Sequence, residues 1–514
     1  MRRSLVVLVV LALPALARAD LMKRLLDAGD QGGGGSTTSK SVENDLISWA
    51  GDPKPVTLGD LLQVAVRQAP ALASARLDIE IANAQIQETW VRNDWRTQAQ
   101  LQYQRQDGGV FDGVPLGPST NFVGTADVIR NLPTGGSIDI HASTQYSSSS
   151  FLGMASSSWY DTVTAGITQP LLKARGSLVF DANERKAVLS RDVSVLAKRL
   201  AAIKTMQTVV SGYWDLVLAE RQVAITDESL ALTRERLRIT QLGADGGKIA
   251  KSEIPAVQQI IATREEDVLT GELGVLNASI ALRRAVGMPI GQGDLGLRVD
   301  GQLDIVAKKF ELGPLLERAY ASSPELAELA KQSDSTTIDI AVTENGLLPQ
   351  LDLALQAGPS GQDVGAASAA KQTVEFKQYT IGGTLTFSRS IGQNDVRGRA
   401  RELRMARDKL KVSSVDIRAQ YAQTMATAVA QIELANRRVV LSERAIQLAN
   451  QNIQIETDRF NLGRSTNFDV LNRHEDLRQA ELRKAQALID WHKAEIVIQA
   501  LTGDILPAYG VTVE

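Results

Sequence analysis

The side chains that carry most enzyme chemistry are scarce in this sequence, and those present stand apart. Its three histidines, His141, His474 and His492, show no metal-ligand spacing. Cysteine is absent, which removes disulfides, thiolate metal sites, cysteine nucleophiles and lipidation on cysteine. The run Gly243-Ala244-Asp245-Gly246-Gly247-Lys248-Ile249 has the look of a phosphate loop. It is one residue short between its glycines, however, and Ile249 stands where Ser or Thr must bind magnesium, so it reads as a helix–helix turn. Carboxylates are numerous but lie beside Arg and Lys, as on solvated helix faces. No nucleophile, base and oxyanion donor come together. These observations point away from an enzyme and toward no cofactor and no metal.

The elements that hold these residues are long helices. Ile432, Val439, Ile446, Ile453 and Phe460 recur every seven residues, and Leu434, Leu441, Leu448, Ile455 and Leu462 do so two positions later. Two positions along an α-helix is about 200° of rotation, so the helix carries two apolar seams on nearly opposite sides. A surface helix buries one stripe. Two opposed seams need a neighbour on each side, as in a wall or tube of helices, and a seven-residue period implies left-handed supercoiling. Leu216, Val223, Leu230 and Leu237, with Leu218, Ile225, Leu232 and Ile239, repeat the pattern. Adding 216 to those numbers lands on the later seams, and the offset continues from Gly247 to Gly463, Lys248 to Arg464, Glu253 to Asp469 and Gly287 to Gly503. The chain is an internal duplication.

Composition agrees with long helices, with only 4% aromatic residues, and a net charge of −3 gives no indication of nucleic-acid binding. Arg2-Arg3, the apolar run Leu5 to Leu16 and Ala17-Arg18-Ala19 read as a secretory signal peptide over 1–19, with the mature chain beginning at Asp20. Residues 20–56, with Gly32 to Gly35, read as a flexible extension to which no fold is assigned. No other run approaches the roughly 20 apolar residues of a membrane helix, so any membrane crossing must use strands.

The first repeat (57–295) opens with Thr57 and Asp60 in a capping-box pattern, then Leu58-Gly59-Asp60-Leu61-Leu62, then Pro70. The second (312–514) opens at Leu312-Gly313-Pro314-Leu315-Leu316, then Pro324, here at an offset of 254. The two offsets differ by 38 residues, so the first β region (about 97–169) is longer than the second (about 348–389) by that much. Strand alternation marks 98–104, 161–168, 351–357 and 379–388. Period two fits a half-buried soluble strand as well as a membrane strand with one face to lipid and one to a lumen. Val123 to Ile129 and Ile138 to Tyr146, around Pro133-Thr134-Gly135-Gly136, read as an extra hairpin that supplies most of the surplus; whether it joins the other strands is open. The Ser-rich stretch 147–158 reads as a loop. Helices are expected over 69–95, 181–246 and 252–286 in the first repeat and over 395–462 and 465–501 in the second. The longest would span about 100 Å, which suits a periplasm. The expected class is mainly α with a transmembrane β part. Four strands from one chain cannot close a barrel, and an open edge in lipid leaves unpaired backbone groups, so closure requires cyclic association of several chains.

Taken in order, several motifs resemble those of the TolC family of outer-membrane efflux proteins. They are Leu58-Gly59-Asp60-Leu61-Leu62 with Pro70, "TQPLL" at 168–172, Tyr213-Trp214, "LPQLDL" at 348–353, "RFNLGRSTNFDVLN" at 459–472 and "ALTGDIL" at 500–506. The resemblance covers about 57–504. It implies a homotrimer in the outer membrane of a Gram-negative bacterium. Strands from three chains would form one β-barrel, with an α-barrel through the periplasm and an equatorial belt that includes the linker 296–311. It implies a passive exit duct for an inner-membrane pump, joined through a periplasmic adaptor. It also implies a gate near the periplasmic tip, where acidic residues just past the second-repeat turn ring the aperture. Asp469 stands at the first of those positions and Asn472, a departure, at the second; Glu253 is a candidate for the contact that holds the helices in. For Asp469 the plainer reading is a solvated acid in a helix's first turn, where the dipole favours negative charge. The turns at Gly247-Lys248 and Gly463-Arg464-Ser465-Thr466, farthest from the strands, are expected to dock the adaptor, although their glycines also end helices. The alternative from another class is a non-conducting periplasmic coiled-coil scaffold, which would need no paired hairpin in each repeat.

Overall fold

The computed structural model describes residues 54–511 except 112–113, 116, 152–153, 248, 292–294, 300, 302–304 and 306–307. The signal peptide, nearly all of the N-terminal extension and Lys248 lie outside the described residues.

The two repeats begin alike. In the first, α1 (Leu58–Gln68) is capped by Thr57, whose Oγ1 accepts from the Asp60 backbone N–H at 3.2 Å, and α2 (Pro70–Thr89) starts on its proline. In the second, α5 (Leu312–Ser322) and α6 (Pro324–Asn345) keep the 254 offset, with Ser323 capping the Leu326 N–H. The helix expected to reach residue 95 stops earlier, giving way to a 3₁₀ turn at Trp90–Asn93. The long helices are α3 (Ala182–Asp245) and α8 (Asn394–Asn461), of 64 and 68 residues. Their partners are α4 (Glu253–Val286) and α9 (Asn467–Thr502).

The seams behave differently in the two long helices. On α8, Ile432 and Val439 are buried, while Leu434, Leu441, Leu448, Ile455 and Leu462 are each more than half exposed. On α3, Leu216, Leu230 and Ile225 are buried, and the second seam opens only at Leu232 and Ile239. The cause is position: α3 packs against α2, α4, α6 and α9, whereas α8 packs against α6, α9 and α5. The main core joins the repeats around Leu61, Met206, Val210, Leu216, Leu282 and Ile489. Each large apolar side chain so buried contributes about 1.5–3 kcal/mol.

Six antiparallel strands make one sheet. They are β2 (Arg96–Gln106), β3 (Ser119–Asn131), β4 (Ser137–Phe151), β5 (Met154–Pro170), β7 (Gln350–Asp363) and β8 (Gln378–Ser388), in the order β8-β7-β5-β4-β3-β2. The extra hairpin β3–β4 therefore lies inside the sheet, and the expectation of four strands is corrected to six. The expected loop at 147–158 is also corrected: apart from the two residues not described, it is strand, with Ser147 opposite Ser158, Ser148 opposite Ser157 and Ser149 opposite Ser156. Serine is a weak strand former without alternation, so here backbone pairing carries the structure where side-chain pattern gives no signal. The last three residues of the extension, given no fold above, form β1 (Lys54–Val56), parallel to β6 (Leu297–Val299) in the inter-repeat linker.

Register sorts the side chains by face, since residues opposite one another share a side. Ile381, Ala357, Ala165, Ile140 and Val128 form one row, and Tyr103, Phe122, Tyr146 and Trp159 another on the same face. Leu101, Ile381 and Leu385 on that face are 76%, 74% and 64% exposed. The opposite face carries Gln98, Gln100, Gln102, Asp127, His141, Thr164 and Thr384. There His141 Nδ1 lies 2.6 Å from Asp127 Oδ1. The outer strands β2 and β8 each have a second edge with no partner strand among the described residues.

Candidate gate and docking turns at the helix tips

Both hairpin turns lie at the far end of the long helices from the sheet. Gly247, with φ +74°, follows the end of α3, and Gly463, with φ +70°, follows the end of α8. Residues with a Cβ rarely adopt that left-handed conformation, so the same glycine serves the same purpose in both repeats. In the second turn the Gly463 N–H donates to Phe460 O at 2.9 Å and the Arg464 N–H to Arg459 O at 2.8 Å, satisfying the last carbonyls of α8. Gly463, Arg464 and Thr466 are exposed, and Ser465 is half-buried.

Thr466 caps α9 with a full capping box. Its Oγ1 accepts from the Asp469 N–H at 3.2 Å, and Asp469 Oδ2 accepts from the Thr466 N–H at 3.1 Å, from Thr466 Oγ1 at 2.7 Å and from Ser465 Oγ at 3.3 Å. The hydrogen bond from the Thr466 hydroxyl, then that from its backbone N–H, hold the Asp469 carboxyl below the usual carboxylate range. Asp469 is thus charged and engaged with its own turn. Asn472 follows three residues later, half-buried. Glu253, the first residue of α4, reaches the other hairpin: its Oε2 accepts from Asn467 Nδ2 at 2.7 Å, and Asn467 is only 2% exposed.

Three further contacts between the hairpins escape a reading of the sequence. Glu475 on α9 takes a hydrogen bond from Arg264 on α4 and two from Arg478, at 2.9 and 2.8 Å. Burial alone would raise the Glu475 carboxyl, but the hydrogen bonds from Arg478 and Gln479 and the charges of Arg478 and Arg264 hold it down at about 2. The Arg236 guanidinium of α3 lies 4.1 Å from the Phe460 ring centroid of α8. His474 on α9 has its proton affinity lowered by burial and then by the charge of Arg236. The Glu475–Arg478 spacing is visible in the sequence. The Arg264 partner, 211 residues away, is not. Among the described residues no group of three or more His, Asp or Glu could hold a metal ion.

An outer membrane efflux protein family profile matches residues 315–504, which hold most of the second repeat and the 459–472 turn. Over that stretch the chain is similar to the outer membrane efflux proteins. It is 19% identical over 347 residues to Nodulation protein T of Rhizobium leguminosarum bv. trifolii, covering 63% of this chain and 68% of the relative. It is 21% identical over 308 residues to outer membrane efflux protein BepC of Brucella suis biovar 1, covering 58% and 63%. Its fold matches the outer-membrane channel OprN with a TM-score of 0.64 at 14% identity, over 87% of this chain and 89% of that one. The fold is that of outer-membrane channels of the TolC type. No helix among the described residues is long and apolar enough to cross a membrane.

Proposed function

We propose that three copies of this chain close into one duct that passively conducts substrates, delivered by an inner-membrane pump through a periplasmic adaptor, across the outer membrane. The observation that carries this reading is the open sheet: six strands, two unpaired edges and an exposed apolar face on a single chain. In lipid such edges must pair, and three copies would give an eighteen-stranded barrel, within the even-numbered range of outer-membrane barrels. The open seam Leu434, Leu441, Leu448, Ile455 and Leu462 would be covered by a neighbouring copy in the same operation. The repeats as drawn above, with 296–311 as an equatorial linker, are the units of that assembly.

At the closed tip Asp469 and Asn472 face the aperture, and the Glu253–Asn467 and Arg264–Glu475 contacts hold the two hairpins together. The turns at Gly247-Lys248 and Gly463 to Thr466 meet the adaptor. The decisive experiment compares Leu385→Arg with Thr384→Arg, neighbours on opposite faces of β8. Arg toward mid-bilayer costs about 2–4 kcal/mol, so Leu385→Arg should abolish detergent-extractable trimers while Thr384→Arg leaves them. Equal effects would defeat the barrel. For docking, Arg464→Glu should stop export while trimers and single-channel conductance persist; normal export in that variant would remove the turn from the docking surface.

A further inference from the structure

Three arginines lie near the helix end of the first hairpins, and two of them are engaged. Arg92 is half-buried against Glu184, Asp181 and the Phe180 ring, the last at 5.0 Å, which fixes the Trp90–Asn93 turn. Arg96 points to the polar face, where its Nη2 donates to Asn131 Oδ1 at 3.4 Å. Arg130 differs. It lies opposite Ile138, in the row that continues to Ile167 and Leu355, on the exposed apolar face. One residue beyond the Arg96–Ile129 pair, register sets Trp95 opposite Arg130, and the guanidinium carbon lies 5.5 Å from the Trp95 ring centroid. Arg130 is exposed and, among the described residues, has no ion-pair partner; neighbouring Asp94 makes none with it. Trp90, Val91 and Trp95 are 49%, 60% and 50% exposed around it. Trp90 is pinned by its indole N–H to Glu184 Oε1 at 3.1 Å, whereas the Trp95 indole N–H makes no hydrogen bond among the described residues.

We infer that Arg130 and Trp95 form a site for the phosphate of a glycerophospholipid headgroup in the inner leaflet of the outer membrane. This rests on the lipid-facing barrel proposed above. Height supports it. The next aromatic up β2 on that face is Tyr103, eight residues from Trp95. At about 3.3 Å per residue and a tilt of about 40°, the two rings stand on the order of 20 Å apart, near the roughly 25 Å apolar band of such barrels. Arg130 therefore sits where hydrocarbon ends and phosphates begin. A guanidinium binds phosphate through two parallel charge-assisted hydrogen bonds. The ring beneath it lends cation–π support, and tryptophan suits a level that is apolar on one side and wet on the other. An unpaired cation on a lipid-facing wall is thereby matched to the one anion that this leaflet supplies along the whole rim.

Native mass spectrometry of the detergent-extracted full chain tests this, with dioleoyl phosphatidylglycerol, dioleoylglycerol (the same tails without phosphate) and inorganic phosphate as probes. Arg130→Gln should weaken phosphatidylglycerol retention about tenfold, as expected for one charge-assisted hydrogen-bonded contact, and leave dioleoylglycerol unchanged. Arg130→Lys should fall between. If Arg130→Gln fails to assemble, Trp95→Leu gives the same reading with the charge intact. Unchanged phosphatidylglycerol retention in the assembled variants would overturn the site. Displacement of the lipid by millimolar inorganic phosphate would overturn its assignment to lipid. Quenching of tryptophan fluorescence by brominated acyl chains in proteoliposomes of the unmodified protein separates the two readings. Its absence would defeat the lipid-facing barrel itself, whereas quenching with indifferent headgroup binding would defeat only the phosphate site.

Discussion

The two tip hairpins share a backbone and divide the chemistry. Gly247 and Gly463 take the same left-handed turn, and Glu253 and Asp469 stand at equivalent places in the duplication. Asp469 turns inward and completes the capping box of its own helix. In the first repeat Ser252, at the cap position of α4, makes no side-chain cap bond, and Glu253 instead reaches across to Asn467. The second hairpin is thus self-contained, and the first is tied to it. Duplication fixes where a carboxylate stands; the residue three positions before it, Thr466 before Asp469 but Ala250 before Glu253, decides whether a capping box forms within its own helix or the carboxylate is left for the neighbouring one.

The largest effect should come from cutting the tie farther up. Glu475→Gln leaves Arg264 and Arg478 facing each other without the carboxylate, and stranding a partly buried partner costs about 3–5 kcal/mol at the upper end. Resting conductance in planar bilayers should rise several-fold. The same tie sets an acid limit. The folded Glu475 carboxyl sits at about 2 against an ordinary 4.5, so its contribution is full above about pH 4.5 and is lost as pH falls toward 2. The window corresponds to on the order of 3 kcal/mol per chain. Conductance that stays flat from neutral pH to pH 3 would show that the tie does not hold the tip.

Next come the paired carboxylates themselves. Glu253→Ala removes the acceptor from buried Asn467, a loss of about 1–3 kcal/mol at the hairpin interface, and should raise resting conductance. Asp469→Asn should fray the first turn of α9 by about 1 kcal/mol and weaken cation selectivity and block by divalent cations. If both substitutions open the channel equally, the division of labour is wrong. If Asp469→Asn leaves cation block intact, Asp469 is a cap alone and the aperture is set elsewhere.

Much of this was legible beforehand, where the signal is local. Helix starts were marked by Thr57 with Asp60, Pro70 and Pro324, and the long helices by their seams. The serine hairpin at 147–158 was illegible because its side chains do not alternate; its strand character comes from the partner backbone. Pairing of β1 with β6 joins residues more than 240 positions apart, and nothing in Lys54-Pro55-Val56 signals a partner. At the tip the duplication pointed to residues 253 and 469, but the contact between hairpins runs from Glu253 to Asn467, because the Asp469 carboxylate is already occupied by Thr466. Arg264 and Glu475 meet only through tertiary packing between repeats.

The smallest effect concerns what the hairpins share. A Cβ added at Gly247 or Gly463 meets no atom within 4 Å, so Gly→Ala at either turn costs only backbone strain, about 1 kcal/mol. The opposite ends of the partner helices show the contrast. Gly287 and Gly503 are also equivalent and also left-handed, but a Cβ at Gly287 would lie 2.4 Å from the Gln68 carbonyl oxygen, while at Gly503 the nearest atom is Ser322 Cβ at 3.3 Å. Gly287→Ala must therefore displace α1 as well as strain its own turn, and should be the more damaging of that pair. At the tips the two substitutions should be matched: hydrogen exchange of the turn amides should accelerate about fivefold in each, with no change elsewhere. A clear difference between Gly247→Ala and Gly463→Ala would mean that the two turns, alike in φ, are held by different surroundings in the assembled protein.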